Sequence, residues 1–366
     1  MTSAFRALLS HDLPRSKPLA VLLMACFIGL LGAPFLFPGT QALNVAAKVL
    51  VFILLVASYD LLLGYTGIVS FAHTMFVGIG AYGIAIASTR LGPDWGSLAL
   101  GLAAALGLSA ALALAMGLAS LRVKAIFFAM ITLAVASAFM TLCSQLSDLT
   151  GGEDGLNFQL PALLRPSTEF AEEPVLGVML DGRLLSYYLL FAAVTALVLG
   201  LLRVVNSPFG RVLQAIRENE FRAEAIGYRP VVYRTGANVI AALLACCGGA
   251  LLALWLRYTG PETAMSMEIM LDLLLIVVIG GMGSIYGAVI GSVLFIVAQN
   301  YLQALLKGAG ALVDGVPVLS TLVSPDRWLL WLGLLFVLAV YHFPGGVVGR
   351  LRLSAWQRAR KKSGAP

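Results

Sequence analysis

Side chains able to do chemistry are scarce in this sequence. In its long apolar stretches ionisable groups are few: Lys48, Asp60, His73 and Asp272 stand out. Such residues face protein or water rather than lipid. They do not form the chain of carboxylates that proton coupling would require. A lone His73 reads first as a satisfied packing group, with a ligand role as the alternative. Asp60 and His73 flank a Gly64–Gly67 turn, where they could cap or orient it. The sequence carries no HExxH, no GxSxG and no His/Cys cluster with metal spacing. It also lacks the Walker A pattern GxxxxGK[ST], so any ATP must be hydrolysed by another chain. Catalytic and metal-binding residues are therefore expected to be absent.

Polar residues concentrate instead in 206–235, NSPFGRVLQAIRENEFRAEAIGYRPVVYRT. Ser207 as N-cap and Pro208 at the first position predict a helix start. Gly227 and Pro230 predict its end. Between them Phe209, Val212, Leu213, Ile216, Ala223 and Ile226 share one face, with Arg211, Arg217, Glu218, Glu220, Arg222 and Glu224 mostly off it. Glu218 and Arg222 are spaced as a favourable i,i+4 pair. Such a helix suits contact with a water-side partner; a solvated or interfacial connector is the plain alternative.

The elements that hold these groups are membrane spans. The chain has 366 residues, 60% hydrophobic and only 11% charged, with mean hydropathy +0.93. Soluble domains are nearer a quarter charged. The expected class is an all-α polytopic membrane protein with about ten spans. These fall at 19–37, 43–63, 68–88, 97–120, 124–147, 184–205, 236–257, 267–281, 284–306 and 326–344. Residues 1–18 form a basic N-terminal tail, 19–349 the membrane domain and 350–366 a basic C-terminal tail suited to anionic headgroups. Most Lys and Arg then fall on one side; Arg90, Arg165, Arg183, Arg257, Lys307 and Arg327 fall on the other. The positive-inside rule predicts both termini, and 206–235, in the cytoplasm. The net charge of +6 reports orientation, not nucleic-acid binding. An external loop at about 148–183 is acidic and could dock a soluble partner or be merely solvated. Cys26, Cys143, Cys246 and Cys247 read as small buried residues.

Two Gly-rich stretches interrupt the spans: GYTGIVSFAHTMFVGIGAYG at 64–83 and IGGMGSIYGAVIG at 279–291. Gly283, Gly287 and Gly291 have small-xxx-small spacing, and Gly78, Gly80 and Gly83 serve close packing equally well. The sharper expectation is broken helices lining a solute path, with Gly64, Gly67, His73, Gly78, Gly80, Gly280, Gly281, Gly283 and Gly287 as candidates. The stretches recur in the two halves 43–147 and 236–344, which hints at an inverted repeat.

These two strings, together with NSPFGRVLQAIRENEFRAEAIGY and the ending SPDRWLLWLGLLFVLAVYHFPGGVVGR, resemble the branched-chain amino acid ABC-importer permeases of the LivM-like branch over about residues 40–350. The resemblance implies a bacterial inner-membrane permease subunit whose cytoplasmic loop docks in an ATPase cleft. It implies a coupling role for Arg211, Arg217, Glu218, Glu220, Glu224, Ala225 and Gly227. Glu224, Ala225 and Gly227 sit where the importer Glu-Ala-Ala-loop-Gly pattern falls, although the spacing is shorter and no Leu-Pro follows. Implied partners are a homologous second permease, two ATP-binding cassette ATPases that hold ATP and magnesium, an extracytoplasmic solute-binding protein and lipid. The chain itself would bind no cofactor and catalyse no reaction. The implied solute is a branched-chain or similar aliphatic amino acid; relatives of the family carry urea, short amides or small organic acids. A stand-alone secondary transporter or channel, and a membrane enzyme, are the readings from other classes.

Overall fold

The computed structural model describes residues 17–36, 39–120, 125–170, 178–312, 324, 327–342 and 345–351. Most of both predicted tails, Arg122, Lys124 and part of the predicted external loop lie outside these residues.

The chain is a bundle of apolar helices. They are α1 (Lys17–Leu36), α2 (Thr40–Asp60), α3 (His73–Leu91), α4 (Trp95–Ser120), α5 (Ala125–Gln145), α6 (Gly182–Asn206), α7 (Pro208–Glu218), α8 (Glu220–Ala225), α9 (Pro230–Leu256), α10 (Pro261–Met265), α11 (Met267–Gly280), α12 (Ile285–Leu312) and α13 (Trp328–His342). Among the described residues nine helical segments are long and apolar enough to cross a membrane. The 15-residue α13 occupies the place of the predicted tenth span. At 1.5 Å per residue the 27-residue α9 is about 40 Å long, enough for a hydrocarbon core of about 30 Å.

The α2 helix is the axis of the bundle. From Val45 to Leu62 every residue but Lys48 is buried. A helix apolar all round has no solvent face to offer and must be surrounded. Past Asp60 it continues as a π-helical turn, Leu61–Thr66, closed by Gly67 at φ 73°. The chain then reverses, so α3 starts at His73, five residues beyond the predicted span start.

The two halves pack against each other's helices. In the first half α2 packs on α11 and α12 of the second; in the second half α9 packs on α3 and α4 of the first. Gly67, Gly92, Arg257 and Gly281 take positive φ where helical segments end. The α3–α9 seam is tight because glycine removes the side chains between the backbones. A Cβ on Gly80 would strike the Cys246 backbone, and one on Gly249 the Val77 backbone. This is packing without a hydrophobic driving force, which small residues permit in lipid.

One end of the bundle carries a short ribbon: β1 (Leu156–Asn157) pairs antiparallel with β2 (Tyr258–Thr259). Phe158, Leu160 and Leu164 are buried beneath this loop with Tyr82 and Met265. Tyr258 Oη donates to the Asp154 carbonyl at 3.0 Å, and Arg90 to that of Asp148 at 2.5 Å. The predicted acidic loop is thus strapped across the helix ends over much of its described length. Glu153, Asp154 and Glu169 remain exposed.

Candidate functional site

At the opposite end, both Gly-rich breaks and the polar segment meet. The segment is two helices, not the one expected from its sequence. Asn219 (φ −159°, ψ 100°) ends α7 and caps α8, its side chain accepting the Arg222 N–H at 2.9 Å. Glu218 and Arg222 therefore belong to different helices and do not form the expected i,i+4 pair. Glu220 instead meets Arg234 of α9 at 2.7 Å. Ser207 does not accept a cap bond; its hydroxyl donates to the Val204 carbonyl at 2.6 Å. Pro230 opens α9 rather than following a free loop, since its missing N–H is not needed in a first turn.

The apolar face of α7 is where its periodicity puts it. Val212, Leu213, Ile216 and Ala223 are buried. Phe209 stacks on Tyr233 with ring centroids 5.7 Å apart, and Tyr228 meets the same ring edge-on at 5.6 Å. Ile226 departs from the expectation: it is 67% exposed, and Phe221 is 85% exposed. Arg211, Arg217, Glu218, Glu220, Glu224, Ala225 and Gly227 are all classed as exposed.

The Arg217 side chain nevertheless reaches inward. Its guanidinium donates to the backbone carbonyl of Gly64, inside the π-helical turn. Helix ends leave carbonyls without internal donors. Here the Leu62 carbonyl collects Gly67 N–H, Ile68 N–H and the Thr66 hydroxyl, and Gly64 takes the arginine. The stem of Arg217 also lies along Gly67, where an added Cβ would be 3.2 Å from Cγ.

Asp60 ties this turn to the second break. Its two carboxylate oxygens accept the backbone N–H groups of Gly283 and Ser284, each at 2.9 Å. Ser284 immediately precedes α12, so a side chain from α2 serves as the anionic cap that this N-terminus needs. Asp60 is 1% exposed, and Arg217 is close enough for the two charges to interact. Gly64 has no room for a side chain, because a Cβ would collide with the Asp60 carboxylate and the Gly283 amide. Gly283 itself adopts φ 78°, open to few other residues.

The other candidates are placed as follows. Gly280 and Gly281 end α11, and Gly280 packs against the Gly287 backbone of α12. Gly78 and Gly80 lie inside an unbroken α3, where Gly78 accommodates Met265. His73 is fully enclosed and bonds the Ser58 hydroxyl at 2.9 Å, while Ser58 donates to the Leu55 carbonyl. His73 thus fastens α3 to α2 and does not cap the turn. The bond from Asp60 to the second break was not visible in the sequence, since its partners are backbone groups more than two hundred residues away.

A bundle of apolar spans, with an exposed helix pair bonded to the break after one span and Asp60 tying that break to a second, defines a multi-pass membrane permease. The chain belongs to the family described as branched-chain amino acid transport system / permease component, whose model matches residues 41–340. It is 26% identical over 322 residues to the high-affinity branched-chain amino acid transport system permease protein LivM of Salmonella typhimurium, spanning 84% of this chain and 74% of that protein. The LivM protein of Escherichia coli is similar to the same extent. A probable branched-chain amino acid transport permease protein LivM of Methanocaldococcus jannaschii is 25% identical over 234 residues, 63% of this chain and 62% of the relative. No solved structure matches the chain.

Proposed function

We propose that this chain is a transmembrane subunit of an ATP-binding cassette importer for branched-chain or similar aliphatic amino acids. In this reading α7 and α8 lie in the cytoplasm, with both chain termini on that side. A second permease chain, two ATPase chains and an external solute-binding protein complete the assembly. The amino-acid assignment follows the names of the relatives.

The observation that carries the reading is the Arg217 bond to Gly64, backed by Asp60 on Gly283 and Ser284. A partner that pulls on α7 pulls on the end of α2 and, through Asp60, on the start of α12. Rigid elements joined at helix breaks can turn a rigid-body displacement into a change of access. The exposed Phe221 of α8 and Ile226 just after it give a partner an apolar grip among charges.

Reconstitution tests it. The full complex in proteoliposomes should accumulate radiolabelled leucine only with internal ATP, ATPase chains and loaded binding protein. Uptake by this chain alone would replace the reading with a stand-alone transporter. Asn219→Cys in intact cells should resist an impermeant thiol reagent added outside; labelling there would overturn the assigned side.

A further inference from the structure

A second polar constellation lies far from the junction. Lys48 stands twelve residues before Asp60 on α2, about 18 Å along the helix. Its ammonium donates to Gln299 Oε1 of α12 at 3.0 Å. The same amide's Nε2 reaches Asp272 Oδ2 of α11 at 3.4 Å. Three helices thus each supply one polar side chain within apolar spans.

The amide between them uses only part of the hydrogen-bonding capacity of either charge. Among the described residues Lys48 and Asp272 form no direct ion pair; the salt bridge found, Arg234–Glu220, belongs to the α8–α9 contact. An ammonium has three donors and a carboxylate about four acceptor positions, and one amide occupies one of each. Lys48 also lies 5.5 Å from the Phe52 ring, and Glu268 sits one turn from Asp272 on α11. Lys48, Asp272 and Gln299 are each only partly buried. Charges held inside a span without closing on each other mark a solute path more readily than a structural bond.

We propose that Lys48, Gln299 and Asp272 form a waystation for a zwitterionic amino acid. The ammonium of Lys48 takes the solute carboxylate, and the Asp272 carboxylate takes the solute ammonium. Gln299 holds the place of the solute when none is present. Its amide oxygen and nitrogen are borne by one carbon, much as an α-amino acid bears its two charged groups one carbon apart, so a zwitterion can substitute for it without either helix moving far. The inference rests on the amino-acid reading above and adds where, within the membrane, the solute's charges are met.

The test uses the complete complex in proteoliposomes with radiolabelled leucine. Lys48→Met and Asp272→Asn should each lower the initial uptake rate at least tenfold. A structural ion network predicts that removing both charges relieves the defect, because neither is then left buried alone. The waystation predicts that Lys48→Met with Asp272→Leu assembles with its partners and stays at least tenfold slow. Restoration by that double variant, or single variants within twofold of wild type, overturns the proposal alone. Failure of the wild-type complex to take up leucine overturns the importer reading and this proposal with it.

Discussion

The guanidinium of Arg217, on an exposed helix, donates to the backbone carbonyl of Gly64 within the turn that ends the central helix. A side chain based in water thus holds main chain belonging to the bundle interior. Carbonyls at a helix end have no partner of their own, and a charged donor satisfies one more strongly than a neutral donor would. Beneath it, Asp60 joins that turn to the start of α12 through two amides. Force on α7 therefore has a short bonded route to two spans.

Replacing Asp60 with Asn should weaken this junction. One amide oxygen can accept from Gly283 or Ser284, but the NH2 end faces a second donor. Leaving one buried N–H unmatched costs about 1–3 kcal/mol. Thermal unfolding of the purified complex should show a lowered midpoint, and Asp60→Ala should lower it further. An unchanged midpoint for both would remove Asp60 from the account.

The α3–α9 seam should tolerate no side chain at Gly80. A Cβ there meets the Cys246 backbone, which has no rotamer to escape into. Gly80→Val should cost about 1–3 kcal/mol or more and reduce the yield of monodisperse protein. Gly107→Ala is the matched control, because nothing lies within 4 Å of its added Cβ. Equal yields for the two variants would mean that the seam is looser than its geometry.

Much of this architecture was legible in the residues. Apolar length alone located the nine spans long enough to cross a membrane among the described residues, because a helix must satisfy its own backbone in lipid. The 3.6 periodicity of 206–235 placed Val212, Leu213, Ile216 and Ala223 correctly on the buried side. It misplaced Ile226, because a face extrapolated along one straight helix turns away once Asn219 bends the chain. The cap was in the sequence: Asn219 precedes an acidic first turn, Glu220, which is a start signal inside an already helical pattern. By its place in the sequence Asp60 could cap or orient its own turn. Its actual partners are amides, which carry no side-chain signature. The glycines were ambiguous for the same reason: Gly64 and Gly80 look alike as letters, and only their surroundings separate a helix break from a packing seam.

Phe221 should matter for association rather than folding. At 85% exposure it contributes little to the isolated chain. A large aromatic at the centre of a partner interface is commonly worth about 2 kcal/mol or more, a loss of roughly thirtyfold in affinity. Phe221→Asp should insert and fold normally but fail to co-purify with the ATPase chains. Retention of the partners at wild-type yield would place their contact elsewhere.

The coupling role of Arg217 is tested most directly by measuring ATP hydrolysis and leucine uptake on the same proteoliposomes carrying Arg217→Ala. Loss of a charged hydrogen bond is worth about 1.5–3 kcal/mol, so uptake per ATP should fall by roughly tenfold or more while the ATPase chains remain bound and hydrolysis continues. Wild-type uptake per ATP in that variant would contradict the account, because α7 would then drive the spans without its bond to the turn that ends α2.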